Sequence, residues 1–423
     1  MGAENLMASI NHEIRMARKR LGLTLKSVCG EFMSVSNLSN IENGKTRIKR
    51  DTLIYLKKKL NLPDDLLENA EARGRVESLH LKASTYKTSK STIKAISCYK
   101  EIIDLCEENF IEDELAIALR ELGILQMEMK NQSAIKNLEK SAELFSEQQN
   151  YKELAVTTTK LGAAYFSVEN YSKATDLFKE ALMYMKDDTG KGSLFYNLAS
   201  TYFRLGEIGE ATHYCELAIE NLTLNDVDYL ISANILQGIL FSKVSLFQLS
   251  RKALTKAKKL SEKHNSPYLL SKVLLNLGNV EMELNQNSGL PMDYFKLSGE
   301  LKRDFNDVIG MIRLNRSIAK WYIRNNNINL AESLLEEALQ QSRKMKNKYD
   351  EMKCLEEISD FTLKNNKDYQ NSIDLLFKAL LIARDIQSTK AEKRILESLS
   401  NVFYLKGDKQ KSFEKYIELK NIR

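Results

Sequence analysis

The stretch Leu161-Gly-Ala-Ala-Tyr165, followed by Tyr171, Ala174, Phe178 and Ala181, decides how this chain folds. Its apolar residues recur three and four positions apart, which is helical spacing. A second copy reads Leu198-Ala-Ser-Thr-Tyr202, then Gly206, Ala211, Cys215 and Ala218. A third reads Ile318-Ala-Lys-Trp-Tyr322, then Ala331, Leu335 and Ala338. A last one reads Leu399-Ser-Asn-Val-Phe403, then Gly407, Ser412, Tyr416 and Leu419. In all four, the small residue after the first apolar one is followed twelve positions on by Ala or Ser. Small residues on two antiparallel helices let the helices approach closely, and large residues fill the groove beside them.

Anchoring on the small position gives Gly123, Gly162, Ala199, Gly238, Gly278, Ala319, Ser359 and Ser400, at intervals of 37 to 41 residues. This pattern resembles the tetratricopeptide repeat. The intervals exceed that repeat's usual length of about 34 residues, so longer helices or turns are expected. Residues 68–108 add a further helix pair, with Ala95, Tyr99 and Ile102 on its second helix. The expected fold is all-α: eight or nine helix pairs stacked into a right-handed superhelix, with a concave groove lined by the first helix of each pair.

Composition agrees. The chain has 423 residues with only 3 prolines and 17 glycines, which disfavours a turn-rich all-β fold. Hydrophobic residues make up 43% and charged residues 28%, enough apolar character to build a core. No apolar run reaches the ~18 residues of a membrane span. The N-terminus lacks an apolar signal segment, and Leu6 stands where a lipid-acceptor pattern needs Ser or Thr. A cytoplasmic location is expected. Five scattered cysteines without CxxC and four distant histidines imply neither a disulfide framework nor a metal site, and no cofactor is expected. No Ser-His-Asp arrangement, phosphate-cradling glycine loop or HExxH occurs, so the chain is not expected to be an enzyme. The pair Glu356-Glu357 reads as solvated helix surface.

Charge is unevenly placed. Residues 1–66 hold 12 Lys+Arg against 7 Asp+Glu, and the other 357 residues hold 51 against 50. A basic segment on a near-neutral body fits an anionic partner, although a lysine-rich solvated surface reads the same way. In this segment Ile10, Ile14, Ala17 and Leu21 mark a first helix ended by Gly22. Thr24 caps a second, Leu25 to about Phe32, with Val28 inward. Ser34 caps a third, 35–43, with Val35, Leu38 and Ile41 inward and Gly44 at its end. Asp51 opens a fourth, with Leu53, Leu56 and Leu60 inward, closed by Asn61-Leu-Pro63, and Asp64 caps a last turn. Two short helices joined by a tight turn in a small basic bundle make a helix-turn-helix. Arg18-Lys-Arg-Leu-Gly-Leu-Thr24, Ser39-Asn-Ile-Glu-Asn-Gly44 and Asp51-Thr-Leu-Ile-Tyr-Leu56 resemble the phage-repressor-like (Cro/C1, XRE-type) helix-turn-helix family over residues 9–68. That resemblance makes 35–42 a recognition helix. Ser36, Asn37 and Asn40 would then reach base edges, Ser34 would cap the helix at the DNA surface, and Lys45, Arg47 and Lys49 would meet phosphates. Leu25 stands where many members carry Gln, and Cys29 where a small alanine is common. The competing reading keeps the module for protein contacts alone.

In the repeats, positions flanking each small anchor should face the groove. They include Arg120, Tyr196, Asn197, Ser200, Asn276, Asn279, Arg316 and Lys320, with Asn234 off that register. Asn both donates and accepts, so Asn197 and Asn276 could clamp a peptide backbone, and Arg316, Lys320 and Arg324 could receive a carboxylate. Each Asn could equally cap a neighbouring turn. The expected organisation is a DNA-binding domain over 1–66 and a receptor and dimerisation domain over 67–423. The combination resembles the peptide-pheromone quorum-sensing regulators of Gram-positive bacteria (the Rap/NprR/PlcR/PrgX/Rgg group), most like the NprR type. The resemblance implies a cytoplasmic transcriptional regulator whose groove binds a short imported signalling peptide, changing its oligomeric arrangement and its hold on an operator. It also implies a homo-dimer or higher oligomer joined around Ile395–Ile422. The alternative is a Rap-like scaffold that sequesters a sporulation response regulator.

Overall fold

The computed structural model describes residues 14–422 apart from 31, 44, 47, 49, 63, 64, 110, 130, 132, 186–189 and 286–288, and for 50 and 65–71 it describes the backbone alone. Ile10, Gly44, Arg47, Lys49, Pro63 and Asp64 therefore lie outside the described residues. Among the described residues there are helices and no strand. The first four helices are α1 (14–20), α2 (Leu25–Cys29), α3 (Val35–Glu42) and α4 (Arg50–Leu60). Long helices follow in pairs: α5 (Asp65–Thr88) with α6 (Thr92–Glu108), α7 (Glu112–Glu128) with α8 (Ser133–Glu147), and α9 (Tyr151–Ser167) with α10 (Tyr171–Tyr184). Next come α11 (Lys191–Leu205) with α12 (Ile208–Asn221), α13 (Val227–Lys243) with α14 (Phe247–Lys263), and α15 (Pro267–Leu284) with α16 (Leu290–Asp304). The last are α17 (Val308–Arg324) with α18 (Ile328–Lys344), α19 (Lys348–Phe361) with α20 (Tyr369–Asp385), and α21 (Thr389–Lys406) with α22 (Lys409–Asn421). The pairs from α5 to α22 meet the upper of the two expected numbers.

The chain divides into two compact units, Met1–Glu153 and Leu154–Arg423. The α5 helix runs without a break across residues 66 and 67.

In the first unit Ile14, Ala17, Val28, Cys29, Leu38, Ile41, Leu53, Leu56 and Leu60 form the core of the small bundle. Two expected inward residues are exposed. Val35 is 43% exposed because it opens α3, whose core face begins one turn later at Leu38. Leu21 is 50% exposed because it lies past the end of α1. The α2 helix stops at Cys29, short of Phe32, since Gly30 takes φ +51. A Cβ at Gly30 would also lie 2.9 Å from the Tyr55 hydroxyl, so both conformation and space require glycine there.

The small anchors of the repeats work by close approach. A Cβ on Gly162 would meet the Phe178 ring at 2.6 Å, one on Gly238 would meet Leu254 at 2.6 Å, and one on Gly123 would meet Leu138 at 2.7 Å. Ala174, Ala211 and Ala331, twelve positions past their anchors, are fully buried. The last pair replaces this contact with polar stitching: Ser400 Oγ donates to the Ser412 carbonyl (2.9 Å), and Ser412 Oγ donates to that of Ser400 (2.8 Å). All five cysteines are buried and free.

Candidate functional site

The helix-turn-helix presents one polar edge. Ser34 Oγ accepts from the Asn37 N–H (3.1 Å) and so caps α3 at its N-terminus. Leu38 and Ile41 hold the other side of the helix in the core, leaving Ser36 and Asn37 exposed and Asn40 half-exposed. Lys45 is exposed just beyond the helix. The orientation of α3 is fixed by an ion pair that the sequence did not announce. Arg18 on α1 donates through Nε to Glu42 Oε1 (2.5 Å) and through Nη2 to Oε2 (2.7 Å), and through Nη1 to the Leu23 carbonyl (3.0 Å). Tyr55 on α4 donates to the Val28 carbonyl (2.8 Å) and stacks on Phe32 at 4.3 Å. Arg18 thereby braces α3 from α1, and Tyr55 braces α2 from α4.

The groove candidates fall in different settings. Arg120 belongs to the first unit. It pairs with Glu153 (2.5 Å) and lies 5.4 Å from the Phe145 ring centre, so it is engaged within that unit. In the second unit Tyr196 meets Tyr229 edge-on at 5.7 Å, and its neighbours Asn197 and Ser200 are half-exposed. Asn276 donates Nδ2 to the Lys272 carbonyl (2.8 Å), and Asn279 is half-exposed. Asn234 is wholly buried. Its Nδ2 reaches the Leu230 carbonyl (2.7 Å), and its Oδ1 has no partner.

Arg316 and Lys320 are not free cations. Arg316 Nε and Nη2 donate to the Glu357 carboxylate at 2.7 and 2.8 Å, Arg316 Nη1 reaches Asp350 at 3.3 Å, and Lys320 reaches Glu357 at 2.7 Å. Arg324 is engaged as well, with Glu283 (2.5 Å). Glu357 is therefore no solvated surface residue. Burial pushes its carboxyl up, but Arg316 and Lys320 outweigh that and hold it at about 2. Asp350 is likewise held down against burial by Arg313 and Arg316. Glu356 is shared by Lys353 (3.0 Å) and Arg394 (2.8 Å).

Within the second unit, residues distant in the chain meet around Tyr349. Its N–H donates to Glu169 Oε2 (3.2 Å), and the Arg204 guanidinium stands 4.2 Å from its ring centre. Burial would raise the Tyr349 phenol, but Arg204 and Lys353 bring it below its ordinary value. Nearby, Lys390 pairs with Glu207 (2.9 Å). The first turns of α19 and α21 thus touch the ends of α9 and α11. Lys243, at the end of α13, is lowered by desolvation and then by Lys353, Lys320 and Arg394, with only Tyr349 pulling the other way. No carboxylate pairs with it among the described residues. Glu169, Tyr349 and Lys243 carried no sequence signal, because nothing in their local spacing marks a contact made across so many residues. Among the described residues no group of histidine, cysteine or acidic side chains could hold a metal ion, and no helix is long and apolar enough to cross a membrane.

The helix-turn-helix family matches residues 14–67, and the tetratricopeptide-repeat family matches residues 76–109 and 192–221. The class is thus a helix-turn-helix segment joined to tetratricopeptide repeats. More particularly, the fold is like that of Rap proteins. A Rap protein complexed with Competence and Sporulation Factor is 14% identical with a TM-score of 0.54, covering 84% of this chain and 97% of that one. The Rap conjugation gene regulator of the plasmid pLS20, solved with the Phr* peptide, is 14% identical with a TM-score of 0.50, covering 82% and 96%. No curated protein matches the chain.

Proposed function

We propose that this chain is a cytoplasmic, non-enzymatic transcriptional regulator gated by a short signalling peptide. The observation that carries the reading is the presence, in one chain, of a braced α3 with an exposed polar edge and a repeat unit of the Rap-like fold. The α3 edge (Ser36, Asn37, Asn40 and Lys45) offers short amides and hydroxyls for base edges and a cation for phosphate. In the second unit, Asn197 and Asn276 retain acceptor capacity for a peptide N–H, since among the described residues the side-chain bond of Asn276 uses its Nδ2. Unpaired Lys243, beside Lys320, would attract an anionic group on the peptide. Arg316 is already neutralised by Glu357.

Two copies would meet through α21 and α22, where Tyr404, Leu405, Phe413, Tyr416 and Ile417 are 42–64% exposed. Peptide binding would act by changing how two DNA-binding segments are spaced on a two-fold operator. The second reading, a scaffold that sequesters a response regulator, draws on the fold likeness to Rap proteins. The polar α3 edge favours the first.

The test is light scattering coupled to size-exclusion chromatography, with and without a pool of short secreted peptides, followed by mass spectrometry of what co-elutes. A retained peptide of about five to ten residues, with a changed oligomeric mass, supports the receptor. No retained peptide, together with capture of a response-regulator protein, moves the assignment to the scaffold.

A further inference from the structure

A crevice of about 900 Å3 runs between α13 and α14. Phe241, Leu249, Ala253 and Leu260 give it an apolar lining. Asn234 also lines it, and that residue's wholly buried Oδ1 has no hydrogen-bond partner. A buried acceptor left unpaired is costly, so a site that keeps one invites a donor. Along the edge of the crevice stand Lys252, Lys256, Lys259 and Lys263, all exposed. Their spacing of four, three and four places them on one face of α14, over about 16 Å of helix. Their neighbours Arg251 and Lys258 are paired, with Glu281 (2.9 Å) and Glu262 (3.4 Å), but these four have no carboxylate partner among the described residues.

We infer that this crevice is a docking site for an acidic, amphipathic segment of another protein. Its carboxylates would lie along the lysine row, its apolar side chains would enter between Phe241 and Leu260, and a main-chain N–H would satisfy Asn234 Oδ1. Nucleic acid fits less well, because a phosphodiester backbone offers only acceptors to Asn234 and has no use for an apolar lining. The crevice shares one residue, Asn234, with the expected groove set; its other lining residues lie outside that set.

The test uses the full chain and three fluorescein-labelled probes read by anisotropy. These are a peptide of Glu-Glu-Leu repeats, its Gln-Gln-Leu counterpart, and a random-sequence DNA duplex. Combined Lys252→Glu, Lys256→Glu and Lys259→Glu should weaken the acidic peptide by about ten-fold or more, whereas Lys258→Glu, at the already paired lysine, should not. Asn234→Leu, which removes the buried acceptor, should weaken it about three-fold with helicity unchanged by circular dichroism. Equal binding of the Gln peptide, no binding of the acidic one, or equal affinity of the triple variant would overturn the site. A parallel loss of duplex binding in the triple variant would reassign the lysine row to nucleic acid.

Discussion

The main-chain N–H of Tyr349 donates to the carboxylate of Glu169, a residue 180 positions earlier in the chain (3.2 Å). Arg204 lies against the Tyr349 ring, and Lys390 pairs with Glu207 beside it. In a stack whose contacts otherwise run between neighbouring helices, these bonds link α19 and α21 directly to the ends of α9 and α11.

Glu169→Ala should therefore leave the Tyr349 N–H without its acceptor and cost about 1–3 kcal/mol locally. Hydrogen exchange at the Tyr349 amide should accelerate sharply, with the helical turns of α14 and α16 unaffected. Unchanged protection at Tyr349 would mean that the contact contributes nothing in solution.

The Glu357 carboxyl, held at about 2 against an ordinary 4.5, carries a pH signature. Its folded-state value is depressed, so its contribution is complete above about 4.5 and is lost as pH falls toward 2. The size is about 3 kcal/mol. Glu357→Gln should lower stability at pH 7 by a similar amount and flatten the acid limb of a chemical-denaturation series. A variant as acid-sensitive as the parent would place the effect elsewhere.

Lys302 is fully buried on α16, 3.1 Å from Ser271 Oγ and 3.7 Å from Asp307, and burial lowers its ammonium to about 8 despite Asp307. The folded state thus holds this proton less tightly than the unfolded one, so stability should rise as pH climbs from about 8 to 10.5. Lys302→Met removes a poorly paired buried charge and should stabilise the chain at pH 7 by about 2 kcal/mol, since Asp307 keeps its bond to the Gly310 N–H (2.9 Å). A lower melting temperature would show that the lysine's polar contacts outweigh its desolvation.

For the α3 edge, Asn37→Ala and Asn40→Ala should each reduce affinity for an operator selected from random duplexes by about 1–3 kcal/mol. Lys45→Ala should weaken all duplexes alike and reduce the salt slope by about 0.9. If both classes of variant act only on melting temperature, the edge is structural.

Much of this was legible before any coordinates. The small anchors Gly162 and Gly238, with Ala174 and Ala211 twelve positions beyond Gly162 and Ala199, specify helix pairs because only small side chains permit the approach seen at Phe178 and Leu254. Ser34 and Thr24 announce the starts of α3 and α2 because a cap bond needs only its own next turn. Local chemistry decides such features, and one sequence contains all of it. Asn197 and Asn276 are proposed as a clamp from register alone, whereas Arg316 and Lys320 read as open cations when they are closed by Glu357. The sequence could place Glu357 on a helix but could not say which neighbouring helix it faced. The same limit hid Arg18–Glu42, the Tyr349 contacts and the unpaired oxygen of Asn234. Repeat periodicity is a property of each helix and its neighbour. Ion pairs and cross-stack contacts depend on how small per-repeat rotations accumulate, and only the tertiary structure settles that sum.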